Sequence, residues 1–297
     1  MSNLVLTVNL RCARLSSAGG QTPSNYREVP DASMGSPLVR LLELLDERTA
    51  KATMFVCADQ VRHCPGVIRK FAERGHEIGV LQCRNHQQEN SSAGWSSPAI
   101  ANARDALQQL TGQAVDSFRD DAYSLGREDR GNWSPLVAAG FQYDSSVLPY
   151  EKGTGRDSQW PRYPFRMRVG NSELVEWPIA TARYFGKLFP IGCEWYTEAL
   201  PYWLLRRSLR SFHSAGWPAI VATGASLPAG DELCGDKSVA TRSRFNTGES
   251  KWVLHLLNDF HLETLSAATS RLRLQELATL RPIPSPTGQT DVPVARN

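Results

Sequence analysis

Six cysteines and six histidines supply the soft and titrating donors of this 297-residue chain. Cys12, Cys57, Cys64, Cys83, Cys193 and Cys234 are scattered and form no CxxC pair. Such spacing reads as free thiols rather than as a disulfide framework. His63, His213, His255 and His261 fall on or near helical patterns and read as surface or satisfied core residues. Three charged residues stand together at Arg119, Asp120 and Asp121. Neighbours on an extended strand point to opposite sides, so Asp121 is expected to share a side with Arg119, and Asp120 to face away. A guanidinium keeps its proton at any ordinary pH, so Arg119 needs an anion, either Asp121 or a bound one. An aromatic stretch follows: Trp160, Tyr163, Trp177, Trp195, Tyr196 and Tyr202. Sugar-binding clefts use exposed rings as stacking platforms, because ring faces are apolar. Trp177 and Tyr202 read as core. Trp195 and Tyr196, just after Gly192, are the candidates to line a cleft.

These residues need a scaffold. Leu4–Leu10 (LVLTVNL) reads as a buried strand, and a polar Gly/Ser-rich loop follows over Ser16–Asp31. Ser36–Arg48 places Leu38, Leu41, Leu42, Leu44 and Leu45 on one broad helical face. Ala52–Cys57 is the next strand. Pro65–Arg74 is a helix begun by proline and stopped by Gly75. Glu77–Leu81, Ser117–Arg119, Tyr143–Val147, Val175–Ile179 and Ala219–Ala222 read as strands. Ser97–Leu110, Trp133–Ala139, Ala199–Ala215 and Lys251–Asn258 read as helices, and Arg206–Arg207 as a solvated helix face. Alternating strands and helices predict a parallel sheet covered by helices. Residues 1–280 read as one domain. From Arg281 the chain turns to Pro, Thr, Gly and Gln, so 281–297 reads as a disordered tail.

Several segments together resemble the NodB-homology polysaccharide deacetylases, carbohydrate esterase family 4. The nearest likeness is to the subgroup found beside PEP-CTERM and exopolysaccharide loci. They are TVNL at Thr7–Leu10, Leu41–Val56 (LLELLDERTAKATMFV), FAERGHEIG at Phe71–Gly79, AAGFQYDSSVLP at Ala138–Pro149, EWPIAT at Glu176–Thr181 and LPYWLLRRSLR at Leu200–Arg210. They keep the family's order and spacing over roughly residues 4–265. The resemblance implies a distorted (β/α) barrel with its site at the C-terminal strand ends. It also implies deacetylation assisted by a divalent metal, usually zinc.

The positions that would carry this chemistry are altered. The family's first motif resembles TVDVED, with a base and a metal-binding carboxylate; here TVNLRC puts Asn9 and Cys12 in those places. An amide has no titrating carboxylate. Cys12 could ligate zinc as a thiolate, but one ligand is not a site. The second motif resembles SHGYxH; here VLQCRN puts Leu81 and Asn85 at the histidine positions, with His86 one residue on. The third resembles RAPSF; here RDDAY keeps Arg119, whose family partner is the catalytic Asp. The last motif carries an acidic His; here Gly224 aligns with it, or Thr223 if the register shifts by one. His76 sits where the family uses a residue for packing and hydrogen bonding. Cys12 and Cys83 align with the site mouth, where buried inert thiols are the simpler reading, as for Cys57 and Cys64.

Composition bounds the rest. Hydrophobic residues are 41% of the chain, enough for a sizeable core, and a net charge of +3 is too weak to argue for nucleic acid. No apolar run approaches the ~20 residues of a membrane span. Met1–Leu10 lacks a basic leader and a long apolar core, so the expected location is the cytoplasm. The leading reading is a catalytically degenerate deacetylase homologue without a cofactor. Its expected partner is a carbohydrate or an exopolysaccharide-synthesis protein. On that reading Arg119, Asp120, Asp121, Trp195 and Tyr196 line the binding site. The alternative is a hydrolase whose site is rebuilt from Cys12, Asp120, Asp121 and His86.

Overall fold

The computed structural model describes residues 2–12, 37–57, 61, 64–83, 97–123, 125, 133–150, 160–197, 199–227 and 251–281. The expected tail, apart from Arg281, lies outside the described residues, as do His63, Asn85, His86, Cys234 and the side chains of Cys12 and Trp195. The elements run β1 Ser2–Cys12, α1 Pro37–Glu47, β2 Thr53–Cys57, α2 Pro65–Glu73, β3 Glu77–Gln82, α3 Ser97–Thr111 and β4 Ser117–Asp120. Then follow α4 Ser134–Ala138, β5 Tyr143–Asp144, β6 Phe165–Val169, β7 Ser172–Glu176, β8 Ala182–Tyr184 and β9 Lys187–Phe189. The last set is α5 Glu194–Thr197, α6 Tyr202–Ser214, β10 Ala219–Leu227, α7 Lys251–Asp259, β11 Phe260–Glu263, α8 Leu265–Arg271 and β12 Thr279–Leu280.

The main sheet runs β10–β1–β2–β3–β4–β5–β7–β6–β12, with β11 on the first residues of β1. All of its pairs are parallel except β6–β7. Period-two alternation sorts β1 between two cores. Leu4, Leu6, Val8 and Leu10 join the outer core with Leu41 and Leu45 of α1, while Val5 joins an inner core with Phe55, Leu81, Trp177 and Ile220. An outer layer of helices over a filled interior is the expected barrel plan.

Regular pairing does not bring β12 back to β10 among the described residues. The ring is completed instead by single backbone bonds. Ile179 N–H donates to Val147 C=O at 3.0 Å, and Ala180 N–H to Ile220 C=O at 3.1 Å. Gly192 then adds a second link, donating to Ala180 C=O and accepting from Ala222 N–H. A Cβ at Gly192 would stand 2.3 Å from Ile220 C=O, so only glycine fits this approach. The distortion of the barrel lies here. α8 closes the lower end: Leu265 and Ala268 enter the inner core, and Thr269 Oγ1 accepts from Trp177 Nε1 at 2.9 Å. This seven-residue helix was not predicted, being shorter than the two turns that reveal an amphipathic period. Tyr202, expected in the core, is only half-buried; it donates to Asp259 at 2.7 Å and stacks on His255. His76 is structural, as read: its Nδ1 accepts Ala52 N–H at 3.2 Å, and burial, with Lys51 and Arg74, lowers its pKa to about 4.

The outer face of the sheet buries three carboxyls, Asp120, Asp144 and Glu176. Asp144 accepts Trp133 Nε1–H at 2.9 Å and the Ser146 hydroxyl at 2.5 Å, while Glu176 accepts Val147 N–H at 3.0 Å. Burial and the neighbouring Asp144 push Glu176 well above the usual glutamate range, so it keeps its proton to higher pH than a free glutamate. The folded chain therefore binds this proton at pH values where the unfolded chain has released it. Stability is fully present below the ordinary glutamate pKa of 4.5 and falls as pH rises toward the folded value. Glu176→Gln, which keeps the acceptor for Val147 N–H without a titrating group, is expected to remove that arm of the pH–stability curve in urea denaturation. An unchanged slope above pH ~5 would contradict the assignment.

Candidate functional site

At the C-terminal ends of β1, β4 and β5 the inward positions are Thr7, Asn9, Arg119 and Ser145. Arg119 is 0% exposed. Its Nη1 donates to Thr7 Oγ1 at 2.6 Å and to Asn9 Oδ1 at 3.0 Å. Its Nε donates to Ser145 C=O at 3.1 Å and its Nη2 to Ser145 Oγ at 2.7 Å. The two hydroxyls can accept because each donates elsewhere, Thr7 to Val221 C=O and Ser145 to Trp177 C=O. The guanidinium lies over the Phe55 ring, 4.3 Å from its centre, a cation–π contact strengthened by the dry surroundings. Gly79 makes room for that ring; a Cβ there would meet it at 2.8 Å.

This is not the expected pairing. Arg119 donates to neutral oxygens rather than to Asp121. The reason is that β4 points Arg119 into the barrel while the chain leaves the strand at Asp120, so Asp121 sits in the turn beyond. Burial lowers the Arg119 pKa, and the fields of Tyr123, Glu194, Cys193 and Asp144 partly restore it. Around the fork stand Phe55, Leu81, Tyr123, Trp177 and Cys193.

The other predicted positions fall as follows. Gly224 is the ladder partner of Asn9 and Thr223 that of Val8, so the aligned acid position stands beside the aligned base position. Leu81 is paired with Arg119 on the neighbouring strand and is 1% exposed, inside the inner core. Asp120 is buried on the outer face; its N–H donates to Ser146 Oγ and its Oδ1 accepts Ala122 N–H. It therefore does not face the barrel interior. Tyr196 is half-buried against the inner core. Cys57, Cys64 and Cys193 are buried and Cys83 is half-buried. Among the described residues no three His, Cys, Asp or Glu side chains come together to hold a metal. A zinc at the aligned position would meet Leu81, which has no lone pair, so the one aligned side chain among the described residues does not fit the metal.

Thr7, Ser145, Phe55 and Glu194 were missed. Thr7 had a legible signal, since it lies two residues from Asn9 and so on the same strand face. Ser145 sits in the DSS segment carried by the resemblance, but only the fold brings it to Arg119.

Asn9 explains what the fork lacks. Its Oδ1 faces Arg119, which leaves the buried Nδ2 without an acceptor. A buried donor left unpaired costs about 1–3 kcal/mol. A carboxylate at this position would carry no orphan donor and would give the guanidinium its counter-charge. Asn9→Asp is therefore expected to stabilise the fold by about 1–3 kcal/mol in chemical denaturation at neutral pH. A destabilised variant would show that this pocket is not shaped for an anion.

Residues 31–143 match a family model described as polysaccharide deacetylase, and residues 145–222 match a domain of unknown function, DUF3473. No curated protein matches the chain. Among solved structures, a Mycobacterium smegmatis protein assigned as a polysaccharide deacetylase is 18% identical. Its TM-score is 0.52, over 86% of this chain and 82% of the other. A polysaccharide deacetylase from Bacillus cereus is 12% identical over 87% of each chain, with a TM-score of 0.44. An allantoinase is 15% identical, with a TM-score of 0.48 over 90% of this chain and 89% of the other. The mycobacterial likeness supports the fold alone. The two family matches meet at the site, since Arg119 lies in the first and its acceptor Ser145 in the second. This chain is thus similar to the polysaccharide deacetylases over residues 31–143 and to the DUF3473 domain over residues 145–222.

Proposed function

We propose that this chain is a catalytically silent polysaccharide deacetylase homologue of the exopolysaccharide-locus kind. It binds an acetylated carbohydrate, or a protein of exopolysaccharide synthesis, in the cytoplasm. Leu81 carries this reading. The resemblance puts a metal-binding histidine there, and the chain has a buried leucine inside an apolar cluster. Hydrolysis of an acetyl group needs an activated water and a proton donor for the leaving group. Asn9 cannot take a proton, Gly224 has none to give, and Leu81 cannot hold a metal that would lower the pKa of water. The rebuilt-site alternative loses a member, because Asp120 is buried on the outer face of the sheet. Binding asks less of the chain than catalysis. A cleft needs shape and aromatic surface, and Tyr196 at the edge of the inner core supplies one half-exposed ring.

The test separates binding from turnover. Chito-oligosaccharides bearing N-acetyl groups are expected to bind the full chain in calorimetry without release of acetate, and Tyr196→Ala is expected to weaken binding by about tenfold. Acetate release that a chelator abolishes would overturn the silent reading. Putting back Asp at position 9 and His at positions 81 and 224 is expected to restore little activity. A histidine at 81 would find Phe55, Trp177 and Val5 around it rather than a carboxylate to orient its ring.

A further inference from the structure

The lower end of the barrel, opposite the Arg119 fork, contains a cavity of about 190 Å³. Three elements meet around it where α8 closes the ring. Asn3 stands near the start of β1, and Leu4 pairs with Ala219, so Pro218 stands beside Asn3. α6 supplies His213 from its last turn, and α8 supplies Ala268 and Arg271. Gly216 shapes the hollow. Its φ of +84° ends α6 and turns the chain back, so that Trp217 N–H donates to Phe212 C=O at 3.0 Å. The indole of Trp217 stacks on Tyr163, 6.0 Å between ring centres, and forms one wall. Asn3 lies six residues before Asn9, about 20 Å along β1 at ~3.3 Å per residue, so this cavity is separate from the Arg119 site.

Size and lining select the occupant. An apolar cavity of about 150 Å³ holds a benzene ring. The space here therefore suits a single six-membered ring with one small substituent. Trp217, Pro218, Ala268 and Leu272 offer that ring apolar wall. The polar side chains of the lining are Asn3, His213 and Arg271, each able to donate a hydrogen bond, and among the described residues no carboxylate lines the cavity. Arg271 Nη2 donates to the buried Glu263, which holds the guanidinium in place. A guanidinium has five N–H donors, so the fork keeps others for an incoming acceptor. Donors of this kind are matched best by a carboxylate. A pyranose fits less well, because most of its hydroxyls would face hydrocarbon without a partner.

We infer that this cavity binds a small aromatic carboxylate. The ring packs on Trp217 and Ala268, and the carboxylate accepts from Arg271, with His213 and Asn3 beside it. The N-terminal strand ends of a barrel serve stability rather than chemistry, so the ligand is held there and not turned over. Because it touches β1, α6 and α8 at once, it stabilises the closure of the lower end.

The test is an NMR titration of the full chain with sodium benzoate as the probe. One site per chain is expected, with a dissociation constant of about 1 mM or tighter. Benzyl alcohol keeps the ring and lacks the charge, and is expected to bind about tenfold more weakly. Ala268→Leu puts a larger side chain into the cavity and is expected to weaken benzoate binding about tenfold. His213→Ala, at an exposed position that the fold does not depend on, is expected to weaken it about threefold. Tyr196→Ala, whose ring lies in the carbohydrate-binding reading, is expected to leave benzoate binding unchanged. A chain with no saturable benzoate site overturns the proposal. Equal affinity for benzyl alcohol does so too, as does undiminished binding by folded Ala268→Leu or by His213→Ala.

Discussion

A guanidinium taken wholly out of water and, among the described residues, given no carboxylate is the constraint around which the upper end of this barrel is arranged. Arg119 cannot shed its proton, so the surrounding structure has to supply what water would have supplied. It does so with four acceptor contacts, from Thr7, Asn9 and both oxygens of Ser145, and with the face of Phe55. Each of those groups is fixed from outside the fork. Thr7 is anchored to β10 through Val221, Ser145 to the segment after β7 through Trp177, and Phe55 has its space because residue 79 is glycine. The fork therefore ties β1, β4 and β5 together across the end where the ring closes by single bonds. Those bonds run through Val147, Ile179 and Ala180, next to Ser145 and Trp177.

The same end contains the places where the resemblance puts chemistry. On the proposed reading the amide of Asn9 stands where the resemblance puts a carboxylate, and the hydrocarbon of Leu81 and the bare backbone of Gly224 stand where it puts histidines. Each of these lacks the charge or the lone pair that the proposed ancestral chemistry would use. The fold can afford this because a core is set by volume and pattern, whereas catalysis depends on particular atoms at particular points. The buried acids followed another route. Asp144 and Glu176 lie in the outer core, where burial raises the pKa of both and Trp133, Ser146 and Val147 donate to them.

Much of the scaffold was legible in the chain. Leu4–Leu10, Ala52–Cys57 and Glu77–Leu81 read as strands because each is a short apolar or alternating run closed by turn residues, and the structure forms β1, β2 and β3 over them. The hairpin β8–β9 and strand β11 were not legible, being three or four residues long. β12, of two residues, gives no period at all. At the site, the position of Arg119 was legible, but its partner was not. The alternation that linked it to Asp121 assumes that the strand continues, and it ends at Asp120. The acceptors Thr7 and Ser145 are small hydroxyl residues that look unremarkable until parallel pairing places them at one depth. Burial of Asp120 beside Asp144 and Glu176 also needed the register of three strands.

The central claim is that hydrocarbon and neutral amide stand where a metal and a base would be needed. It is tested most directly by titrating zinc into chelator-treated full-length protein in a calorimeter, with acetylated oligosaccharide present and absent. The account predicts no stoichiometric zinc site of sub-millimolar affinity that depends on Asn9 or on the residues beside Leu81, in either condition. A stoichiometric site that disappears in Cys12→Ser would contradict it, and would return the barrel to the hydrolases.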